Sequence, residues 1–520
     1  MGVVGKGREP IGFRPFSYAS TFLSTMSATV TLDGRSLTIA GVVSVARHGA
    51  RVAVAPETRD RVTRSRAGIE AAIARGDTIY GVNTGFGKLA HVRIAPEQLR
   101  ALQLNLIRSH ASGVGEPLPV EAVRAMMLLR ANVLLMGTSG VRPVIPDTLV
   151  AMLNAAVHPT VPSQGSVGAS GDLAPLSHLA LAMIGEGPDG HRLVPAGIAP
   201  VTLEAKEGIA FVNGTQAQTG LTALLVHDAW TLWHTAHGAA AMSLEAVRGT
   251  PVPFDARIHD ARPHPYQQRS AALLRDLLGE SAIRESHRHD DPRVQDAYSL
   301  RCTPQVLGAV GEGIAFAERL ATTELNAATD NPLVFGADVL SGGNFHGQPV
   351  ALALDVLAIA LATLAGLSER RLERVVNPDL SSGLPAFLAR DPGLDSGFMT
   401  AQIAAAALVA DARVLSTPAS VQSIPTEGNQ EDIVPMGMTA AWKARRTLDD
   451  ATRVVAIELL AGAQGLEFLK PLTPGRGVAR LYDAVRGFVP PLTADRPMSD
   501  DIERVVVAIR EGRFMTEASG

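Results

Sequence analysis

One apolar stretch, VALALDVLAIALATLAGL at residues 350–367, limits most strongly what this chain can fold into. It is about as long as a membrane-spanning helix, which needs roughly 20 apolar residues. Asp355 lies inside it, however, and the helical pattern continues through SERRLERV beyond it. A helix that is apolar on every side is also typical of the centre of a large helical bundle. We therefore expect a buried bundle helix and no membrane partner.

Three further segments share this richness in Ala and Leu, which are strong helix formers: residues 221–247, 304–327 and 436–469. The preceding part is more mixed. Residues 29–47 predict a hairpin turning at Asp33-Gly34 and then a helix, and residues 76–94 predict a short strand running into a glycine-rich loop. The fold class expected is mainly α: an extended central helical bundle with a smaller mixed N-terminal globular region. Such apolar helices also favour a homo-oligomer.

These patterns predict three parts of the chain. Residues 1–28 read as a flexible N-terminal extension, residues 29–215 as an N-terminal region, and residues 216–520 as the long-helix bundle with C-terminal helices. Residues 29–520 are expected to act as one unit.

Charge and cysteine content exclude several classes of function. The formal net charge is −4, which argues against nucleic-acid and anionic-membrane partners. Cys302 is the single cysteine, so no intrachain disulfide can form and a reducing, cytoplasmic compartment is expected. The histidines of ESHRHDD at residues 285–291 lack the spacing of a zinc site, and no metal is expected.

The stretch GSVGASGDLAPLSHLA at residues 165–180 surrounds one alanine with small residues. Such density predicts a backbone conformation that side chains would obstruct. It contains no Lys, which excludes a phosphate-binding loop, and no Gly-x-Ser-x-Gly, which excludes a hydrolase elbow. Asp172 and Pro175 predict the start of a helix, with Asp172 as its N-cap.

Polar loops between the helices hold the other candidate groups. Tyr80 precedes glycines that could let a loop close over a ligand, although a phenol is a poor base unless its pKa is lowered. Gln295, Tyr298 and Arg301 would share a face if helical, and Arg301 suits either a carboxylate ligand or a structural salt bridge. Taken singly, each loop is equally well explained by turn chemistry.

Taken together, seven motifs resemble the aromatic amino acid ammonia-lyases in content and order: YGVNTGFG, GASGDLAPLSH, NGTQ, QDAYSLRC, NAATDNPLVF, SGGNFHGQP and NQED. The resemblance runs from about residue 29 to the C-terminal end. It implies a fumarase/aspartase-like helical architecture and a homotetramer with shared active sites. It also implies that Ala169, Ser170 and Gly171 cyclise to 4-methylideneimidazol-5-one (MIO), an electrophile for the substrate amine that makes an external cofactor unnecessary.

The resemblance also assigns roles. Tyr80 matches the base on the mobile loop, Asn213 and Tyr298 match residues that stabilise the ring, and Arg301 matches the carboxylate clamp. The other matching positions line the pocket: Gln295, Phe345 and Gln430.

Two positions concern the substrate. Ser109-His110 and Glu431 are the residues found in family members that act on histidine, and an imidazole has two nitrogens to satisfy where a phenyl ring has none. The expected reaction converts L-histidine to trans-urocanate and ammonia, a step of histidine catabolism. Ile433, Pro435 and Tyr266 depart from the usual pattern of those members.

Three alternatives stay open or are set aside. One is a lyase or 2,3-aminomutase for tyrosine or phenylalanine, and another is a non-catalytic structural homologue. The fumarase and argininosuccinate-lyase group is disfavoured because its signature loop is absent.

Overall fold

The structure is a computed structural model that describes residues 29–289 and 291–515. The predicted extension at residues 1–28 therefore lies outside the described residues. The described chain is mainly α-helical, and its helices are α1 (Ile39–Ala46), α2 (Pro56–Ala74), α3 (Leu99–His110), α4 (Val120–Leu134), α5 (Val144–Asn154), α6 (Leu173–Met183), α7 (Glu207–Val212), α8 (Gln216–Ala246), α9 (Ala256–Asp260), α10 (Pro265–Leu277), α11 (Ala282–Glu285), α12 (Tyr298–Arg301), α13 (Thr303–Glu324), α14 (Gln348–Val376), α15 (Met399–Leu415), α16 (Gly437–Glu467), α17 (Arg476–Phe488) and α18 (Ser499–Arg510).

Strands are short and paired two by two. The parallel pair is β1 (Thr29–Leu32) with β2 (Arg51–Val54), in which Leu32 lies opposite Val54. The antiparallel pairs are β3 (Val114–Pro117) with β4 (Pro162–Gln164), and β5 (Leu333–Phe335) with β6 (Asp338–Leu340).

Two local predictions in the N-terminal region are wrong. At the predicted hairpin turn, the Asp33 carboxylate accepts the N–H groups of Arg35 and Ser36 at 2.7 and 2.8 Å. The chain then enters α1, so the partner of β1 follows that helix and pairs in parallel. The predicted strand before Tyr80 is absent: residues 77–79 have no regular secondary structure, and the Asn83 side chain binds backbone groups of Ile79 and Asp77.

The predicted long helices are confirmed as α8, α13, α14 and α16, which pack together as the central bundle. Their contacting faces form one continuous hydrophobic core that extends into the N-terminal helices α1, α4 and α5. Within the described residues, α14 is the one helix long and apolar enough to span a membrane, yet 61% of its most apolar window is buried inside the protein. That burial is typical of the core helix of a bundle.

A buried polar cluster fixes the relative positions of three bundle helices. Arg371 of α14 and Glu458 of α16 form an ion pair with both side chains almost inaccessible. Ser243 of α8 and Ser368 of α14 also donate hydrogen bonds to Glu458. A shift of one helix along another would separate Arg371 from Glu458 and leave a buried charge without its partner. The cluster therefore favours a single register between the helices.

Candidate active site

Four helices begin beside residues 167–172, at one end of the bundle. The helix α6 starts directly after Asp172, whose carboxylate accepts the first free N–H groups of α8. Just before α14, Gly347 N donates to Gly168 O at 2.9 Å, and just before α16, Met436 N donates to Val167 O at 2.8 Å. Helix starts carry partial positive charge, so their convergence favours electrons moving toward this segment.

Gly171 needs to be glycine for two reasons. Its φ of +78° is unfavourable for other residues. It also lies so close to Gly214 that a Cβ would overlap the backbone N and O of that residue. The neighbouring Asp172 N donates to Gly214 O at 2.7 Å. The segment is therefore pressed against the Asn213-Gly214 turn, as its small residues predict.

Two predicted site residues bind Ser170 directly. Asn213 Nδ2 donates to Ser170 O at 2.7 Å, and Ser170 N donates to Glu431 Oε1 at 3.1 Å. Asn213 is buried, and its Oδ1 has no hydrogen-bond partner among the described residues. The structure thus brings Ser170, Asn213 and Glu431 together from three distant parts of the sequence and leaves one buried acceptor available for a ligand.

Tyr80 lies on the neighbouring loop. Its hydroxyl accepts a hydrogen bond from Gly87 N at 3.0 Å. Burial raises the pKa of Tyr80, and the carboxylates of Glu427 and Glu431 raise it further, although the Gly87 hydrogen bond acts in the opposite direction. A base with a raised pKa is strong when ionised but ionises only at higher pH.

Glu427 is a residue near the site that the motifs did not single out. Its carboxylate covers Gly87 so closely that any Cβ on Gly87 would overlap it. Burial raises the pKa of Glu427, and the charge of Glu431 raises it further. The loop of Tyr80 and the loop at residues 426–431 therefore pack face to face. The motif NQED begins two residues after Glu427, but nothing in the sequence indicated this packing.

His110 ends α3 next to the same site. Its Nδ1 lies 2.9 Å from Ser109 Oγ, and its ring meets the Phe86 ring edge-on at 6.5 Å between centroids. Burial lowers the pKa of His110, while the nearby charge of Glu431 acts to raise it. Tyr80, His110 and Glu431 thus share one region, as the predicted site requires.

Asp172 does more than the predicted N-cap. It occupies the N-cap position of α6 but makes no side-chain hydrogen bond to that helix. Instead its Oδ2 accepts Ala217 N and Gln218 N at 2.9 Å each, and Oδ1 accepts Ser166 Oγ at 2.8 Å. Burial raises the pKa of Asp172 to about 6. Because the carboxylate caps α8, it ties the Ala169–Gly171 segment to the bundle.

The remaining predicted site residues are not all gathered here. Gln295 precedes α12, and Tyr298 and Arg301 form its ends, at the start of α13. The far end of α13 is the one near the site, since Thr215 Oγ1 donates to Glu324 Oε1 at 2.6 Å. A 22-residue helix spans roughly 33 Å, so these three residues lie about that far from Ser170 in the same chain.

Phe345 and Gln430 lie on loops that border the segment. Phe345 is two residues before Gly347, whose backbone binds Gly168. Gln430 is exposed beside Glu431.

The three residues that depart from the usual family pattern, Ile433, Pro435 and Tyr266, lie in different surroundings. Ile433 is 62% exposed and accepts a hydrogen bond from His346 Nε2 through its carbonyl. Pro435 is buried against Gly168. Tyr266 stacks on Trp230 at 5.4 Å between ring centroids, in the bundle. Of these three residues, only Pro435 therefore contacts the segment at residues 167–172.

Comparison with known proteins identifies the relatives of this chain. The sequence model of the family described as "Aromatic amino acid lyase" matches residues 37–487. "Histidine ammonia-lyase" of Sorangium cellulosum (strain So ce56) is 51% identical over 503 residues, covering 93% of this chain and 98% of the relative. The solved histidine ammonia-lyase from Trypanosoma cruzi is 44% identical, with a TM-score of 0.87 over 94% of each chain. The tyrosine aminomutase from Streptomyces globisporus is 41% identical, with a TM-score of 0.89 over 94% of this chain and 97% of that one.

A helical-bundle carbon–nitrogen lyase is the class of protein that the fold, the site and these relatives define. More narrowly, the chain belongs to the aromatic amino acid lyase family. The resemblance of the seven motifs to this family is thereby confirmed, as is the mainly α fold. Its family uses an MIO group.

Proposed function

We propose that this lyase eliminates ammonia from L-histidine to give trans-urocanate. The observation that carries the proposal is the position of Glu431, which binds Ser170 N and whose charge reaches both Tyr80 and His110. Thr426 Oγ1 donates a hydrogen bond to Glu431 Oε2. For Glu431 Oε1, an imidazole N–H offers a donor that a phenyl ring lacks. Relatives about half identical to the chain and named histidine ammonia-lyase support the same substrate.

The cofactor is proposed to form from Ala169, Ser170 and Gly171. The Gly171 nitrogen bonds to the Ala169 carbonyl carbon, and the carbonyl oxygen leaves as water with the hydrogens of Gly171 N and Ser170 N. The Ser170 hydroxyl then leaves as a second water with the Ser170 Cα hydrogen, which gives the exocyclic methylidene. The described residues fit this group, because a bare Gly171 already presses against Gly214 and Asn213 donates to Ser170 O.

Ring closure changes what Glu431 can bind. The Ser170 N–H that now donates to Glu431 is consumed when that nitrogen becomes part of a C=N bond. Glu431 Oε1 then lacks this donor and can turn to an N–H of the substrate. The ring supplies an electrophilic carbon toward the substrate amine. Among the chain's own groups, we assign proton removal to Tyr80, ring contact to His110 with Ser109, and the ring carbonyl to Asn213.

The carboxylate clamp is proposed to come from another subunit. Tyr298 and Arg301 lie roughly 33 Å from Ser170 within one chain, yet Tyr298 is 71% exposed and the Arg301 guanidinium stacks on its ring at 4.5 Å. Exposed apolar side chains, among them Ile403, Val414 and Val421, further support contacts between subunits. We infer a homotetramer in which Gln295, Tyr298 and Arg301 of one chain complete the site of a neighbouring chain. Phe345 and Gln430 line the site of their own chain.

The cytoplasm is the proposed location, since the single cysteine needs no oxidising compartment. The boundary between residues 215 and 216, which separates the N-terminal region from the long-helix bundle, stays a prediction.

Product formation from a panel of amino acids tests the substrate. Purified protein is mixed with L-histidine, L-tyrosine or L-phenylalanine, and ultraviolet absorbance and mass spectrometry follow the unsaturated acid and any β-amino acid. We expect histidine to give its unsaturated acid, urocanate, and tyrosine and phenylalanine to give no unsaturated acid. A β-amino acid from tyrosine would instead favour the aminomutase alternative, which the structural similarity to tyrosine aminomutase keeps in view.

The cofactor has its own test. The intact wild-type chain should weigh two water molecules less than its sequence. Ser170→Ala has no hydroxyl to eliminate, and we expect its turnover to fall by roughly 1,000-fold or more. Near-wild-type turnover in this variant would refute the proposed cofactor.

A further inference from the structure

Arg130 lies fully buried in α4, directly behind the Asn213-Gly214 turn. Its Nη1 donates to Asn213 O at 3.0 Å and to Gln216 Oε1 at 2.6 Å, and its Nη2 donates to Ala210 O. The guanidinium thereby joins the end of α7, the turn and the start of α8. Neither composition nor motif singled out this arginine.

The turn is held between Arg130 and the reactive segment. Gly214 has a φ of +152°, and a Cβ there would overlap Arg130 Nη1. On its other side, the backbone of Gly214 touches Gly171, and the Asn213 amide donates to Ser170 O. A displacement of Arg130 is therefore transmitted through one peptide unit to the atoms of Ser170 and Gly171.

The Arg130 guanidinium donates its hydrogen bonds to uncharged backbone and side-chain amide oxygens. Within residues 29–289 and 291–515, no carboxylate lies at salt-bridge distance from Arg130. Asp330, whose charge acts on it, is paired with Lys206 at 2.9 Å. Burial lowers the pKa of Arg130 to about 10, with the Asp330 charge acting in the opposite direction. The guanidinium therefore keeps its charge at neutral pH, and charged donors make the stronger hydrogen bonds.

We propose that Arg130 is a positioning residue for ring closure of Ala169, Ser170 and Gly171. Closing the ring requires the Gly171 nitrogen to reach the Ala169 carbonyl carbon, and small misplacements of reacting atoms slow such steps steeply. By fixing the Asn213-Gly214 peptide from behind, Arg130 keeps Gly171 compressed and Asn213 aimed at Ser170 O. This inference rests on the cofactor proposed above.

The matched control is Arg124, six residues earlier on the same helix. It is also buried, but it donates to Val45 O at 2.9 Å and Leu153 O at 3.3 Å, away from the turn. The variants are Arg130→Lys, which keeps a charge but cannot reach three acceptors, Arg130→Met, which avoids a buried charge, and Arg124→Lys. Each full-length protein is weighed intact at intervals after synthesis, and its helix content and melting are followed by circular dichroism.

Wild type and Arg124→Lys should lack two water molecules per chain. In the folded Arg130 variants, we expect ring closure to be slower by roughly 10- to 100-fold, so that chains of full mass persist. Folded Arg130→Lys and Arg130→Met that lose both waters as fast as wild type would overturn the proposal. So would failure of both variants to fold while Arg124→Lys folds, since Arg130 would then be a purely structural residue. A wild-type chain of full mass would instead refute the cofactor itself.

Discussion

At the scale of single residues, the site is organised around Glu431. This carboxylate binds Ser170 N and, through its charge, influences Tyr80 and His110. Glu427 places a second carboxylate beside the same tyrosine. Two negative groups around one phenol make its ionisation harder, and a polar substrate ring is the natural partner for one of them.

Substitution of His110 by Phe tests the proposed ring contact. We expect kcat/KM for histidine to fall by roughly 100-fold, because a group that matches the imidazole is replaced by one that cannot hydrogen bond. The melting temperature should change little, since His110 is only half-buried at the end of α3. Unchanged histidine kinetics would show that His110 does not contact the ring.

Substitution of Glu427 by Gln tests how the base is tuned. The Glu427 charge raises the pKa of Tyr80, so its removal lowers that pKa and makes the phenolate available at lower pH. We expect the acidic limb of the pH profile of kcat/KM to move toward lower pH. Glu57→Gln, on the exposed start of α2, should leave the profile in place. A profile that does not move in Glu427→Gln would mean that Tyr80 is not the base or does not sense this charge.

At the scale of elements, helix starts form the site. The helices α6, α8, α14 and α16 all begin beside residues 167–172. Backbone hydrogen bonds attach the starts of α14 and α16 to that segment, and the Asp172 side chain attaches the start of α8. Asp172 is the residue that connects α8, because its carboxylate accepts two N–H groups that the helix itself cannot satisfy. The bundle thus serves as a rigid support on which a short reactive loop is placed.

Replacement of Asp172 by Ala should weaken this connection. Two buried N–H groups of α8 would lose their acceptor, at a cost of about 2–4 kcal/mol in the free energy of unfolding. Chemical denaturation measures this loss. Asp255→Ala removes an exposed N-cap from α9 and should cost less. Equal stability of Asp172→Ala and wild type would show that the cap is dispensable.

At the scale of the whole molecule, the proposed site is not complete within one chain. The length of α13 separates Tyr298 and Arg301 from Ser170 by roughly 33 Å. No local rearrangement of a bundle helix closes such a gap. A second copy that presents α12 to this end of the bundle would close it.

Complementation between two inactive variants tests this arrangement. Ser170→Ala and Arg301→Ala should each be inactive alone, but co-expression with separate tags should restore up to about a quarter of wild-type activity in mixed oligomers. Recovery is expected because some sites then combine an intact Ser170 with an intact Arg301 from another chain. Mixed oligomers without any activity would place both residues in the same subunit's site.

Much of this protein follows from its sequence alone. Long Ala- and Leu-rich segments determined the four bundle helices, because helix formation and burial depend on local composition and periodicity. The order of seven motifs determined the family, and the small residues around Ala169 indicated a compressed backbone.

Only the tertiary structure decided which distant groups meet. It paired β1 with β2 across a helix, directed the Asp172 side chain to α8 instead of α6, and set Glu427 over Gly87. It also placed Arg130 behind Gly214 and set Arg301 far from Ser170. These contacts join residues tens to hundreds of positions apart, and their energies depend on geometry that local propensity does not contain.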